Sequence, residues 1–188
     1  SGGMLKVDLR AMGCDSYATS SHKWLMGPLE AGLLFLATRR QKDVWPSIVS
    51  VGYTDAASGG ARRYEAFGQR DDARIVALDA TFEFLELIGM AQVEARVRQL
   101  SAHLMRRLAE NSKLSLRTNQ TPELFCGVVK VDLPGVADLK VLDDKLWMSH
   151  QMAFSVTPTG PNRGIRISPH VYNSLQQMDA VAEVLKSA

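Results

Sequence analysis

Apolar side chains at Ile75, Leu78, Phe82, Leu85 and Ile88 recur at steps of three and four residues, the repeat that gathers them on one face of an α-helix. Asp71 and Asp72 stand at the start of this run, where carboxylates favour the positive end of the helix dipole, and Gly89 interrupts it. Val93, Val97, Leu100, Leu104 and Leu108 resume the spacing, so a second long amphipathic helix is predicted, with Glu94, Arg96, Arg98 and Arg106 on its wet side. Before these helices the pattern is different. Residues 15–20 are polar and β-prone, Gly27-Pro28 marks a turn, and Gly32 to Ala37 is a short continuous apolar run of the kind buried strands show. Lys23 is therefore expected in a connection between two strands. Residues 39–60 lose periodicity, the opening Ser1-Gly2-Gly3 reads as flexible, and Ser58-Gly59-Gly60 reads as a mobile loop. After the helices, residues 125–133, 152–156 and 164–168 read as strands, and 137–146 and 174–186 as helices, an α/β sandwich module.

Composition narrows the class without changing this outline. The chain has 188 residues, 46% hydrophobic, with 22 Lys and Arg against 20 Asp and Glu. Mixed charge at this density argues against a disordered tail, and a net +2 is too weak to suggest nucleic acid or an acidic membrane surface. The longest apolar run, Ala31 to Ala37, is far short of the roughly 18 residues a spanning helix needs. Cys14 and Cys126 are far apart and outside any CxxC spacing, which suits a reducing compartment. A soluble, cytoplasmic chain with no nucleic-acid or membrane partner is expected. His103 and His150 have no ligand-spaced Cys, Asp or Glu beside them, so no metal site is expected, and Arg62-Arg63 and Arg106-Arg107 read as solvated faces.

The densest chemistry is Ser20-Ser21-His22-Lys23-Trp24. A lysine that attacks a carbonyl must be held near it and kept partly neutral, while hydroxyls, backbone N–H groups and an imidazole can anchor a phosphate. Those are the requirements of a pyridoxal phosphate lysine. On these five residues alone the rival reading, a solvated lysine beside a loop histidine, is the favoured one, since short motifs often match by chance.

A wider set of residues carries a family resemblance. Residues 4–9, Gly13 to Tyr17, Ser20 to Trp24, and Gly27-Pro28 followed by Gly32-Leu33-Leu34 resemble the lysine region of class V aminotransferases. These are fold-type I enzymes, among them cysteine desulfurases and isopenicillin N epimerase-like enzymes. Tyr64 to Asp71, residues 84–96, and Gly164 to Asn173 are similar, in the same order, to the family's Gly-Thr loop, its helix pair and its carboxylate-binding strand. The resemblance implies an α/β chain in which residues 1–70 end a large pyridoxal phosphate-binding domain and 71–188 supply linking helices and a small α/β domain. It implies that Lys23 forms the internal aldimine and shuttles the proton at the substrate α-carbon, and that Ser20 and His22 contact the cofactor phosphate. Gly68 and Gln69 would reach the phosphate of a neighbouring subunit in a homodimer, Gln69 replacing the commoner Thr. Arg166 would hold the carboxylate of an amino-acid substrate through its planar fork. His170, Tyr172 and Asn173 are expected to close a turn, Asp15 to accept backbone hydrogen bonds, and Trp24 to pack.

Two departures shape the functional expectation. The stretch Ser149 to Arg166 has no cysteine where desulfurases carry their nucleophile, and Cys126 and Cys14 read as buried, so thiol-based sulfur transfer is disfavoured. The aspartate that pairs with the pyridine nitrogen precedes the lysine in the family by more residues than stand before Lys23 here, so the chain is expected to be the C-terminal half of a family protein. The reaction is left open among transamination, epimerisation and elimination, with the epimerase-like group favoured. An inert dimerisation half, or a cysteine desulfurase or selenocysteine lyase of unusual layout, are the alternatives.

Overall fold

The computed structural model describes residues 2–51, 53 and 59–187, so Ser58 of the expected mobile loop, and Ser1, lie outside the described residues. The chain divides into two compact units, Ser1–Met90 and Ala91–Ala188. The boundary falls about twenty residues beyond the domain limit expected at residue 70, because the first of the two long helices packs with the N-terminal segment.

In the first unit, α1 (Leu9–Met12) is capped by the Asp8 carboxylate, which accepts from the Arg10 and Ala11 amides at 3.0 and 2.9 Å. β1 (Ser16–Ser20) and β2 (Gly32–Leu36) pair antiparallel, with Ser20 opposite Gly32. The apolar run of β2 was expected to be buried. Instead Leu33 and Leu34, on opposite faces of a ribbon of only two strands, are 37% and 52% exposed. Gly3, expected to be flexible, is buried with φ +80°: a Cβ there would lie 2.4 Å from the Trp24 carbonyl, so the N-terminal turn presses directly on the backbone of the lysine loop. Arg63, expected on a solvated face, is a brace. Its guanidinium donates to Val44 O at 2.7 Å and to Tyr64 Oη at 2.8 Å, while that phenol lies 3.0 Å from Gln41 O and from Val44 O.

α2 (Asp72–Ile88) starts where the pattern placed it, with Asp71 accepting from the Ala73 amide. It buries Leu78 and Leu85 and lines an apolar cleft of about 310 Å³ with Phe82, Leu5, Val7, Tyr17 and Leu33. A second stripe of the same helix, Val76, Ala80, Phe84 and Leu87, faces outward, and Leu87 is 85% exposed. Gly89, at φ +86°, ends the helix and returns its amide to Leu85 O.

The second unit holds the principal core. α3 (Met90–Ala109) buries Val93, Val97, Leu100, Leu104 and Leu108, the spaced positions of the sequence. Leu100, Leu104 and Leu108 meet a four-stranded antiparallel sheet of order β3-β4-β6-β5, formed by β3 (Ser115–Leu116), β4 (Val129–Asp132), β5 (Ser155–Thr157) and β6 (Gly164–Ile167). α4 (Leu139–His150) and α5 (Leu175–Lys186) complete the cluster with Leu139, Leu142, Leu146, Met178, Val181 and Leu185. Each fully buried aliphatic side chain here contributes about 1.5–3 kcal/mol. Alternation on the sheet sends Val129, Val131, Ile165 and Ile167 to the helices and Lys130 and Arg166 to the opposite face.

Arg107 also departs from the solvated reading. It pairs with Asp179 and Glu183 of α5 at 3.0 and 2.6 Å and with Glu110 at 2.6 Å, and Lys186 joins the same two glutamates. His103 bonds Asp179 at 2.8 Å, and Arg106 lies 2.8 Å from its other ring nitrogen. This network holds the Asp179 and Glu110 carboxyls below their ordinary range, His103 acting most strongly on the first and Arg107 on the second. No helix among the described residues is long and apolar enough to cross a membrane.

Candidate active site

Ser20-Ser21-His22-Lys23-Trp24 leaves the end of β1 and enters the connection to β2. The pleat decides which hydroxyl turns inward: Thr19 is half-buried, Ser20 exposed, Ser21 fully buried. Ser21 Oγ lies 2.5 Å from Pro28 O and 2.8 Å from Ala31 O, its amide donates to Ala31 O, and its carbonyl accepts from the Gly27 amide at 2.9 Å. Three points on the far side of the loop are thus tied to one residue. The Met26 amide closes a turn onto Lys23 O at 3.0 Å, with Met26 itself at φ +58°. Gly27 must be glycine, since a Cβ would sit 2.9 Å from the Ser21 Cβ and 3.3 Å from Leu78 and Thr81.

His22 and Lys23 stand on this clasped loop, exposed, as does Ser20 at its entrance. Neither the Lys23 amine nor the His22 ring has a hydrogen-bond or ion-pair partner among the described residues. The structure therefore brings Ser20, His22 and Lys23 together on one rigid support with their polar ends uncommitted. Sequence reasoning missed Ser21 as the residue that builds this support. The strand alternation carried the signal, because the residue after an outward Ser20 turns inward.

Gly68 and Gln69 lie elsewhere in the same unit, on an open surface depression of about 520 Å³ lined by Glu65, Gly68, Gln69, Arg70 and Asp72. The depression takes none of its lining from the lysine loop. Gly68 has φ +89°, and a Cβ there would meet Ser50 Oγ at 2.9 Å. Asp15 differs from expectation: its side chain pairs with Arg39 at 2.9 Å and Arg40 at 3.4 Å, and it is its backbone carbonyl that receives a hydrogen bond, from Ala37.

In the second unit, Arg166 is exposed at the centre of the sheet, opposite Lys130 of β4 and Ser155 of β5. Its guanidinium has no acidic partner among the described residues. The segment after β6 is a built turn. His170 is buried, its Nδ1 accepts from the Val171 amide at 2.9 Å, its ring stacks on Tyr172 at 4.4 Å, and its amide donates to Asn173 Oδ1. Ser174 and Gln177 then form a capping box that opens α5, and Arg96 donates to Asn173 O at 2.8 Å. Cys126 precedes β4 instead of lying within a strand, since the segment before Val129 leaves the ladder. Partial burial pushes its thiol up, away from the thiolate a nucleophile requires.

A mixed α/β chain with an exposed lysine on a strand-to-strand loop and an arginine on a second, four-stranded sheet has the parts of a fold-type I pyridoxal phosphate enzyme. Residues 2–181 match the aminotransferase class-V family, and the chain belongs to that family. It is 32% identical to isopenicillin N epimerase of Streptomyces clavuligerus over 97% of its own length and 49% of that protein. A cysteine desulfurase of Cronobacter sakazakii is 32% identical over 68% of the chain. The apo structure of cysteine desulfurase from Thermococcus onnurineus NA1 superposes on the whole chain and half of its own, with a TM-score of 0.85 and 24% identity, which establishes the common fold. The chain spans about half the length of the curated relatives that it matches over nearly all of its own extent.

Proposed function

We propose that this chain supplies the lysine-bearing part of a homodimeric, pyridoxal phosphate-dependent enzyme that acts on an amino acid at its α-carbon, in the manner of the epimerase-like branch. The observation that carries the reading is Lys23: an exposed amine without a partner, on a loop whose shape is fixed by the buried Ser21. The donor set suits the cofactor, because an amine, an imidazole and a hydroxyl stand uncommitted within four residues. When bound, pyridoxal phosphate supplies an electron-accepting ring that eases removal of a proton from the substrate α-carbon. Ser20 Oγ and the His22 ring donate to the phosphate, and Gly68 and Gln69 donate to the phosphate of the second subunit. Lys23 Nζ would hold the cofactor aldehyde and, once the substrate amine has displaced it, would be the free amine that takes and returns the α-proton. Arg166 orients the substrate by a two-pronged bond to its α-carboxylate, a geometry that a lysine cannot copy.

A desulfurase reaction through a thiol is disfavoured by the partly buried Cys126 and the cysteine-free stretch 149–166. The half-length match to relatives favours one other reading, an interaction half with no activity of its own. Adding pyridoxal phosphate to the 188-residue chain, reducing with borohydride and mapping peptides separates the two. The proposal expects a visible absorption band and one dominant adduct at Lys23 among the eight lysines, both lost in Lys23→Ala. Adducts spread evenly over surface lysines, on a chain with a folded circular dichroism spectrum, would overturn it.

A further inference from the structure

We propose that the open face of the C-terminal sheet selects substrates that carry a second carboxylate besides the α-carboxylate, with Lys130 as the specificity-determining residue. The proposal rests on the assignment of Arg166 to the α-carboxylate. Register places Lys130 directly opposite Arg166, and both lie on the face turned away from the helices. Directly opposed residues in an antiparallel pair stand about 4.5–5.5 Å apart at Cα, where like charges oppose each other's presence.

A sheet relieves such a pair by placing an acid beside it, and here the acid is spoken for. Asp132, the one carboxylate that β4 adds to this face, is nearly buried and receives Arg163 and, at 3.2 Å, Arg117. Arg163 also donates to Leu133 O and Val136 O, which anchors it in the loop. Lys130 and Arg166 are left without a carboxylate among the described residues.

Lys130 is also held in place. Its amine donates to Asn162 O, and its stem runs along Gly164, whose missing side chain leaves the path open: a Cβ there would lie 3.4 Å from Lys130 Cε and 2.6 Å from Val131 O. An ammonium has three donors, so two remain for a ligand. A cation ordered before binding loses little entropy on capture. On the other flank of Arg166, the exposed Ser155 offers a hydroxyl. The row from β4 to β5 therefore reads cation, forked cation, hydroxyl, a pattern that fits an amino acid with an acidic side chain better than one with an apolar side chain.

The test is a ¹H–¹⁵N NMR titration of the full chain with glutarate and with valerate, which have equal carbon counts but two and one carboxylates. The proposal expects shifts centred on Lys130, Ser155 and Arg166 and glutarate binding about fivefold tighter, the ratio expected for one extra solvent-exposed charge contact. In Lys130→Gln, which keeps a donor for Asn162 O, the preference should vanish. Lys140→Met, an equal loss of charge on α4, should keep the preference. Equal affinities in the unaltered protein, or a preference that survives Lys130→Gln or disappears in Lys140→Met, would overturn the proposal. Valerate binding that is unaffected by Arg166→Met would instead overturn the underlying assignment of Arg166.

Discussion

Removing one oxygen atom from Ser21 should loosen the loop that carries Lys23. The Ser21 hydroxyl is fully buried and lies 2.5 Å from Pro28 O and 2.8 Å from Ala31 O. In Ser21→Ala the Ala31 carbonyl keeps the Ser21 amide at 3.0 Å, so most of the loss falls on Pro28 O, which has no other hydrogen bond among the described residues. Pro28 O is part-buried, and an acceptor deprived of its partner costs about 1–3 kcal/mol, the lower end applying where water can reach it. That cost falls on the local opening that exposes the amides of Met26 and Gly27, which bond to Lys23 O and Ser21 O. Native-state hydrogen exchange at those two amides should accelerate about 5–150-fold, the factor equivalent to that free energy. Amides in the core of α3, such as Leu104, should keep their protection. Exchange at Met26 and Gly27 within about twofold of the unaltered protein would refute the idea that Ser21 holds the loop.

Gly3→Ala should unfold the first unit at markedly lower temperature, since its Cβ would lie 2.4 Å from Trp24 backbone atoms at φ +80°. Gly13→Ala, at φ +62° with nothing within 4 Å, should cost only the about 1–2 kcal/mol of a left-handed backbone, and thermal melts of the two variants separate collision from conformation. Leu104→Ala should lower stability in urea by about 2–5 kcal/mol, because the side chain is fully buried among α3, α5 and the sheet. Acid should weaken the α3–α5 contact: the folded Asp179 and Glu110 carboxyls titrate below their unfolded values near 3.8 and 4.5, so their contribution is complete above those values and is lost as pH falls through the lowered folded ones. Asp179→Asn should flatten the part of the acid-unfolding curve below about pH 4.

Local periodicity made the helices legible. The spacing of Leu78, Leu85, Val93, Val97, Leu100, Leu104 and Leu108 survives folding because each of these side chains meets the core it was patterned for. Asp71 marked the start of α2 by its charge, while its role as a cap, and the capping box that Ser174 opens, were not read although both act within two or three residues. Strands were less legible. β4 begins at Val129 and not at Phe125, and the two residues of β3 left no pattern at all, because a strand's limits are set by its neighbours in the ladder. The burial expected of Leu33 and Leu34 failed because an apolar run reports what a strand can be packed against and not what this chain supplies. At the candidate site the motif located Lys23, His22 and Ser20, but the roles of Gly3 and Ser21 depend on contacts with Trp24, Pro28 and Ala31 that no spacing rule encodes. The opposition of Lys130 and Arg166 is likewise a matter of register between strands more than thirty residues apart.

The outward stripe of α2 bears on how this sequence changes over generations. Val76, Ala80, Phe84 and Leu87 already meet water, so exchanging them for polar residues costs the fold almost nothing. Mutation would wear away such a stripe in a chain that gained nothing from it beyond its own folding. The residue types that homologous chains hold at these four positions therefore record a selective pressure that stability measurements on the chain alone would not register, and a drift to polar residues would show that the pressure had ended.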